Sequence, residues 1–297
     1  MEIQTATQQF CDYSIFVKNY SSSTIFRYKT SIKIFSKDVG VNDIAEITEK
    51  KVREWFLDGR INKHWTPSTF ITYHKSLLVF FRWCNKQGLL PNNPAEDIEM
   101  PKLFKKLPVK LTKQESMRLL EYVYNYPWGS KFLRQRNHAI FATFIFSGLR
   151  KSELLHLNYA DVDVENMTIF VRQGKGKKDR IIPMAYRLAD ILQKYITERN
   201  ELQKTCPEFF ASFTNDRGFS ESGLRHLVRH TKRRSKINFG MHRLRHTFAT
   251  LMLEGGCDIY SLSKMMGHSD IKTTTIYLSA TTEHLRGQMI KHPLNNM

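Results

Sequence analysis

Apolar residues recur at helical spacing along most of this chain, and in one interval the period shortens to that of a strand. Phe10, Tyr13, Phe16, Val17 and Tyr20 predict a first helix, which the run Ser21-Ser22-Ser23-Thr24 breaks while capping a second with Ile25, Tyr28, Ile32 and Phe35. Residues 38–41 read as a turn. Thr48 caps a third helix through Val52, Trp55 and Phe56. Thr66-Pro67 opens a longer fourth, with Pro tolerated in its first turn, that runs through Phe70, Leu77, Phe81 and Trp83 to Gly88.

After Pro91-Asn92-Asn93-Pro94 and the proline-bracketed, charged stretch Met100 to Pro108, helical spacing resumes. The boundaries expected are a helical domain over residues 1–100, a linker over 101–108 and a second domain over 109–297. Thr112-x-x-Glu115 is a capping box, and His138 to Ser147 is a strongly apolar helix ended by Gly148. From Asp161 to Met184 the pattern becomes extended: Met167 to Arg172, the turn Gly174-Lys175-Gly176-Lys177-Lys178, then Arg180-Ile181-Ile182-Pro183. The fold class is therefore mainly α with a small antiparallel sheet in the second domain. Helices follow through Leu188 to Ile196 and from Ser220.

The final pattern gives three short helices. His242, Arg245 and His246, at i, i+3 and i+4, share one face of a helix buried through Phe248, Leu251 and Met252. Gly255-Gly256 stops it, Asp258 caps a helix with Ile259, Leu262 and Met266, and Gly267 ends that one at His268. Ser269 or Asp270 caps a further short helix that carries Tyr277. Taken singly, these side chains are more often core histidines, ion-pair partners and a surface tyrosine than a site.

Charge changes the picture. The chain has 297 residues and a formal net charge of +18; residues 1–100 contribute +2 of this and residues 101–297 contribute +16. A polyanion is the partner such asymmetry suits, nucleic acid ahead of a membrane, since no amphipathic anchor or spanning run is evident. In the helix after Ser220, Leu224, Leu227 and Val228 face inward and Arg225, Arg229, Lys232 and Arg233 outward, a pattern able to track a phosphate backbone. Lys177 and Lys178 are further candidate contacts. The N-terminus has no signal-peptide pattern, so the expected compartment is the cytoplasm, at the nucleoid. Four well-separated cysteines form no C-x-x-C pair, and His242 with His246 lacks the glutamate of a zinc-hydrolase motif.

The basic half thus offers Arg150, Lys175, His242, Arg245, His268 and Tyr277. Arginines grip phosphate oxygens by paired, charge-assisted hydrogen bonds, and a phenol activated by neighbouring cations or a base is a nucleophile. Phosphodiester attack by tyrosine fits this inventory.

The motifs SGLRKSELLHL (147–157), VRQGKGKKDRIIPM (171–184), HRLRHTFAT (242–250) and MMGHSDIKTTTIY (265–277), with the linker NPAEDIEMPK (93–102), resemble the tyrosine recombinases of the lambda-integrase family, closest in plan to the compact Xer-type members. The resemblance implies a two-domain, C-shaped clamp on double-stranded DNA. It implies that Arg150 and Arg245 clamp the scissile phosphate, Lys175 protonates the leaving 5′-oxygen, His242 and His268 assist in hydrogen bonding and proton transfer, and Tyr277 forms a 3′-phosphotyrosyl bond. Glu153 and His246 would support these groups. Strand exchange would proceed on a recombinase tetramer, with a paired recombinase or accessory protein as a further option, through a Holliday junction. Because the phosphotyrosine bond keeps the energy of the broken phosphodiester, no metal, ATP or other cofactor is implied. The amphipathic tail 281–297, with Leu285, Met289 and Ile290, resembles the family's C-terminal helix that docks on a neighbouring subunit; packing on its own domain is the alternative. A type IB topoisomerase shares the nucleophile and the cationic pocket, and a DNA-binding regulator would explain the charge but not Tyr277.

Overall fold

The computed structural model describes residues 1–103, 108–172, 179–268 and 270–278. Lys175, Lys177, Lys178, Ser269 and the tail 281–297 lie outside the described residues. The chain divides into two compact units, Met1–Lys105 and Lys106–Met297.

Unit 1 is built on α1 (Ile3–Phe16), α2 (Ser22–Val39), α3 (Glu49–Ile61) and α4 (Pro67–Lys86). Ser21, Thr48 and Thr66 each accept a hydrogen bond from the backbone N–H three residues on, which satisfies a donor that the first helical turn leaves open. Phe10, Phe35, Phe56, Phe80 and Phe81 fill the core, with Trp55 edge-on to Phe35 at 5.2 Å between ring centroids. One boundary differs from the sequence expectation: α1 stops at Phe16, and Phe16, Val17 and Tyr20 are exposed rather than part of the buried stripe. Asn19 takes a left-handed φ of 52°, so the chain turns out of the helix before the apolar pattern ends.

Unit 2 is mainly helical with one small sheet. It runs α5 (Lys113–Asn125), α6 (Lys131–Ser147), α7 (Lys151–Leu155), β1 (Val162–Asp163), β2 (Thr168–Val171), β3 (Arg180–Pro183), α8 (Tyr186–Glu201), α9 (Glu221–Ser235), α10 (Met241–Glu254), α11 (Ile259–Met266) and α12 (Lys272–Thr275). The strands form an antiparallel sheet in the order β1-β2-β3, with Ile169 opposite Ile182. From Ala139 onward α6 is buried on nearly every side because α5, α8 and α10 pack against the helix. It begins seven residues earlier than the apolar run suggested, since its first turns bury polar side chains: Arg136 is held by Asn137 Oδ1 and Ala211 O and stacks on Phe219 at 4.2 Å.

A smaller apolar cluster of Phe248, Ala249, Leu253, Leu262, Met266 and Tyr277 joins α10, α11 and the segment after α12. Two helix ends meet this cluster. Gly148 closes α6 at φ +61°, and a Cβ there would lie 2.2 Å from Phe248 Cδ1. Gly267 closes α11 at φ +62°. Only glycine combines the left-handed conformation with so close an approach, so these two residues fix where the side chains just beyond them emerge.

Candidate active site

Arg150 follows Gly148 by two residues and occupies the N-cap of α7. Its backbone N–H donates to Glu153 Oε2 at 2.8 Å, its Nη1 to Glu153 Oε1 at 2.6 Å and its Nη2 to Gly267 O at 2.8 Å. Arg245, buried on α10, donates to Gly148 O and Met266 O, each at 2.6 Å, and meets His268 Nε2 at 3.2 Å. Arg180, at the start of β3, donates to Met265 O at 2.8 Å and to both oxygens of Glu153 at 2.9 and 2.8 Å.

Three guanidinium groups therefore converge on three consecutive carbonyls, Met265, Met266 and Gly267, at the C-terminal end of α11. Helix carbonyls at that end lack intrahelical donors and carry partial negative charge, so they hold cations without neutralising them. Glu153 is the carboxylate shared by the three, with Arg245 Nη1 3.9 Å from its Oε2. The cluster of Arg150, Arg180, Arg245 and Glu153 is left with two positive charges in excess, which suits a phosphodiester and still more the charge gathered in its displacement. Burial alone would raise the Glu153 pKa; the hydrogen bonds and charge of Arg180, then the bonds from Arg150, bring it down to about 2. Burial, and then the charge of Arg150, lower Arg245 to about 10, so it remains a cation at neutral pH.

Of the histidines, His268 accepts from Arg245 at Nε2, because guanidinium has no acceptor, which leaves its Nδ1–H to donate to Thr274 Oγ1 at 2.8 Å. His242, one turn before His246 on α10, is exposed. His246 is half-buried, and its Nδ1 lies 2.8 Å from Tyr277 Oη.

Tyr277 differs from the sequence expectation in one respect: it sits in the turn beyond α12 rather than on a helix. It is 2% exposed, which sets aside the alternative of a plain surface tyrosine. Its ring packs in the cluster with Phe248, Leu262 and Met266. Burial raises its pKa and Arg245 opposes that rise, so at rest the group is a neutral phenol. Asp270 Oδ1 accepts from Lys272 N at 2.9 Å in the turn leading to α12.

The structure thus gathers Arg150, Glu153, Arg245, His246, His268 and Tyr277, leaves His242 at the surface of the same helix, and adds Arg180, which the sequence reading did not single out. Its signal was present: Arg180 and Ile182 are two apart on one strand and share a face, Ile182 is buried, and an inward arginine requires a carboxylate. Arg225, Arg229, Lys232 and Arg233 are all exposed on α9, away from the inward Leu224, Leu227 and Val228.

Among known proteins, residues 110–284 match the model of the phage integrase family, and residues 7–89 match that of the phage integrase N-terminal SAM-like domain. The tyrosine recombinase XerC of Thermodesulfovibrio yellowstonii is 33% identical over 286 residues, covering 94% of this chain and 93% of the relative. XerC of Oceanobacillus iheyensis is 30% identical over 306 residues, covering 99% and 98%. Of solved structures, the XerH site-specific recombinase in a post-cleavage complex with a palindromic difH substrate matches with a TM-score of 0.73 at 23% identity, covering 94% of this chain and 82% of that one.

Proposed function

The chain belongs to the phage integrase family of tyrosine recombinases, and from that premise we propose how its residues divide the work of site-specific DNA recombination. Arg150 and Arg245 bind the non-bridging oxygens of the scissile phosphate. Tyr277 attacks the phosphorus and becomes joined to the 3′ side of the break. Lys175 gives a proton to the departing 5′-oxygen, His242 donates to the phosphate, and His268, accepting from Arg245 at Nε2, aims that guanidinium at the phosphate. Glu153 and Arg180 hold the arginines. The observation that carries this reading is the cationic cluster closed by one carboxylate beside a buried tyrosine. Cations supplied by the protein neutralise the phosphate, and the phosphotyrosine bond conserves the energy needed for rejoining, so the scheme requires neither metal nor ATP.

Double-stranded DNA is the partner, with Arg225, Arg229, Lys232 and Arg233 of α9 and Lys177 and Lys178 as backbone contacts. The expected site of action is the cytoplasm, at the nucleoid; no helix among the described residues is long and apolar enough to cross a membrane. The domain reading is that residues 1–100 hold the core DNA site and residues 109–297 carry the chemistry, joined by 101–108. Recombination by a tetramer would give the amphipathic tail 281–297, with Leu285, Met289 and Ile290, a role in docking on a neighbouring subunit. Near-full-length identity to recombinases favours strand exchange over relaxation by a type IB topoisomerase. Two differently labelled DNA sites incubated with the protein and excess chelator test this: recombinant products are expected, and supercoil relaxation without partner exchange would overturn it.

A further inference from the structure

Resting on the reading of Tyr277 as nucleophile, we infer that His246 is a catalytic residue, the base that takes the proton from the Tyr277 hydroxyl as it attacks. Nδ1 of His246 stands 2.8 Å from the phenolic oxygen, within the reach that proton transfer requires. The two rings are 5.5 Å apart between centroids and inclined at 52°, so the bond is made edge to hydroxyl rather than by stacking. Both residues are held from behind. His246 lies in the middle of α10 and its carbonyl accepts from Thr250 Oγ1 at 2.8 Å, while the Tyr277 ring is fixed in the apolar cluster with Phe248 and Leu262.

Chemistry requires such a group, because a phenol buried at 2% exposure does not ionise unaided at neutral pH. The charged and titratable groups around His246 are His242 and Arg245 on its own helix, Arg243 beside it at an open hollow, and Tyr277 opposite. Burial, then His242 and Arg245, lower the His246 pKa, which keeps the imidazole neutral; the tautomer protonated at Nε2 presents its Nδ1 lone pair to the phenol, and that is the form the inference requires. The same ring borders the hollow lined by Val109, Asn238, Gly240 and Arg243, so the imidazolium formed has a route to water.

In the step itself, the Tyr277 oxygen forms a bond to phosphorus and its proton passes to His246 Nδ1. The bond from phosphorus to the 5′-oxygen breaks, and that oxygen leaves with its electron pair and a proton from Lys175. Rejoining reverses each transfer: the incoming 5′-hydroxyl loses its proton to Lys175, and His246 returns one to the departing phenolate. His242, being exposed on the preceding turn, is left to bind the phosphate.

Single-turnover formation of the covalent adduct on a nicked suicide substrate, measured across pH, is the test. His246→Ala and His246→Gln are expected to slow it roughly 100-fold, at the lower end of what a general base contributes, and to remove the rise in rate with pH that deprotonation of His246 produces. Replacing Tyr277 with 3,5-difluorotyrosine, a more acidic phenol, should restore at least about tenfold in the His246 variants but not in Lys175→Ala, whose defect lies at the other oxygen. A rate in His246→Ala within threefold of the parent, an unchanged pH profile, or no benefit from the acidified phenol would overturn the inference. Tyr277→Phe distinguishes the levels: an adduct that persists there brings down the nucleophile itself, whereas its loss alongside unimpaired His246 variants brings down only the base.

Discussion

Replacing Glu153 with glutamine changes one charge and little shape, and the structure gives that change a definite cost. The carboxylate accepts two hydrogen bonds from Arg180, two from Arg150 and lies 3.9 Å from Arg245. Its pKa falls from an ordinary 4.5 to about 2, which corresponds to about 3 kcal/mol of stability. Breaking a buried ion pair by removing one partner gives a similar figure, about 3 to 5 kcal/mol. Because the folded-state value is depressed, this contribution is complete above pH 4.5 and is lost as pH falls toward 2. Scanning calorimetry of the full chain at neutral pH should show the transition of the unit carrying Glu153 roughly 6 to 12 °C lower in Glu153→Gln, at about 2 to 4 °C per kcal/mol for a unit of this size. The difference from the parent should narrow as pH is lowered through that window. Adduct formation should fall about 100-fold, since Arg150 loses the partner that aims it and a well-placed donor is worth about 3 kcal/mol. A variant that melts within 1 °C of the parent at neutral pH and keeps its acid dependence would refute the reasoning.

Two other predictions concern glycine and charge. Gly148→Ala forces a Cβ to within 2.2 Å of the Phe248 ring at a left-handed φ, whereas Gly256→Ala, at φ +88°, meets nothing within 4 Å. The first should cost about 3 kcal/mol from crowding and strain together, the second about 1 from strain alone, as read by calorimetry; equal losses would mean the corner between α6 and α7 is not packed as described. Arg229→Ala and Arg233→Ala on α9 should each weaken DNA binding similarly across sequences and reduce the slope of log K against log salt by about 1. An unchanged slope would remove those residues from the DNA backbone contacts.

How much of this was legible beforehand varies with the physics involved. Helix caps are local, so Ser21, Thr48, Thr66 and the Thr112–Glu115 box could be read from the sequence and stand at helix starts in the structure. The end of α1 could not, because Phe16 and Val17 continue the apolar period while the chain turns away to leave them in solvent. Arg150 was ambiguous between an ion pair with Glu153 and a phosphate ligand; the structure shows the ion pair, together with a bond to Gly267 O, and the phosphate role is the proposal built on it. Arg180 escaped notice since its role arises where a strand meets the end of α11, a contact between segments 85 residues apart. His246 looked equivalent to His242 on a helical wheel; only tertiary packing separates a half-buried imidazole touching Tyr277 from an exposed one. The burial of Tyr277 was likewise invisible, because tyrosine serves equally well at a surface and in a core.

The central claim, that Tyr277 is the nucleophile of a DNA-breaking reaction, is tested most directly by trapping the covalent complex on a nicked suicide substrate and mapping the modified residue by mass spectrometry. The account predicts a DNA 3′-phosphate on Tyr277, absent from Tyr277→Phe while that variant still binds DNA. An adduct on another residue, or one that survives in Tyr277→Phe, would contradict it.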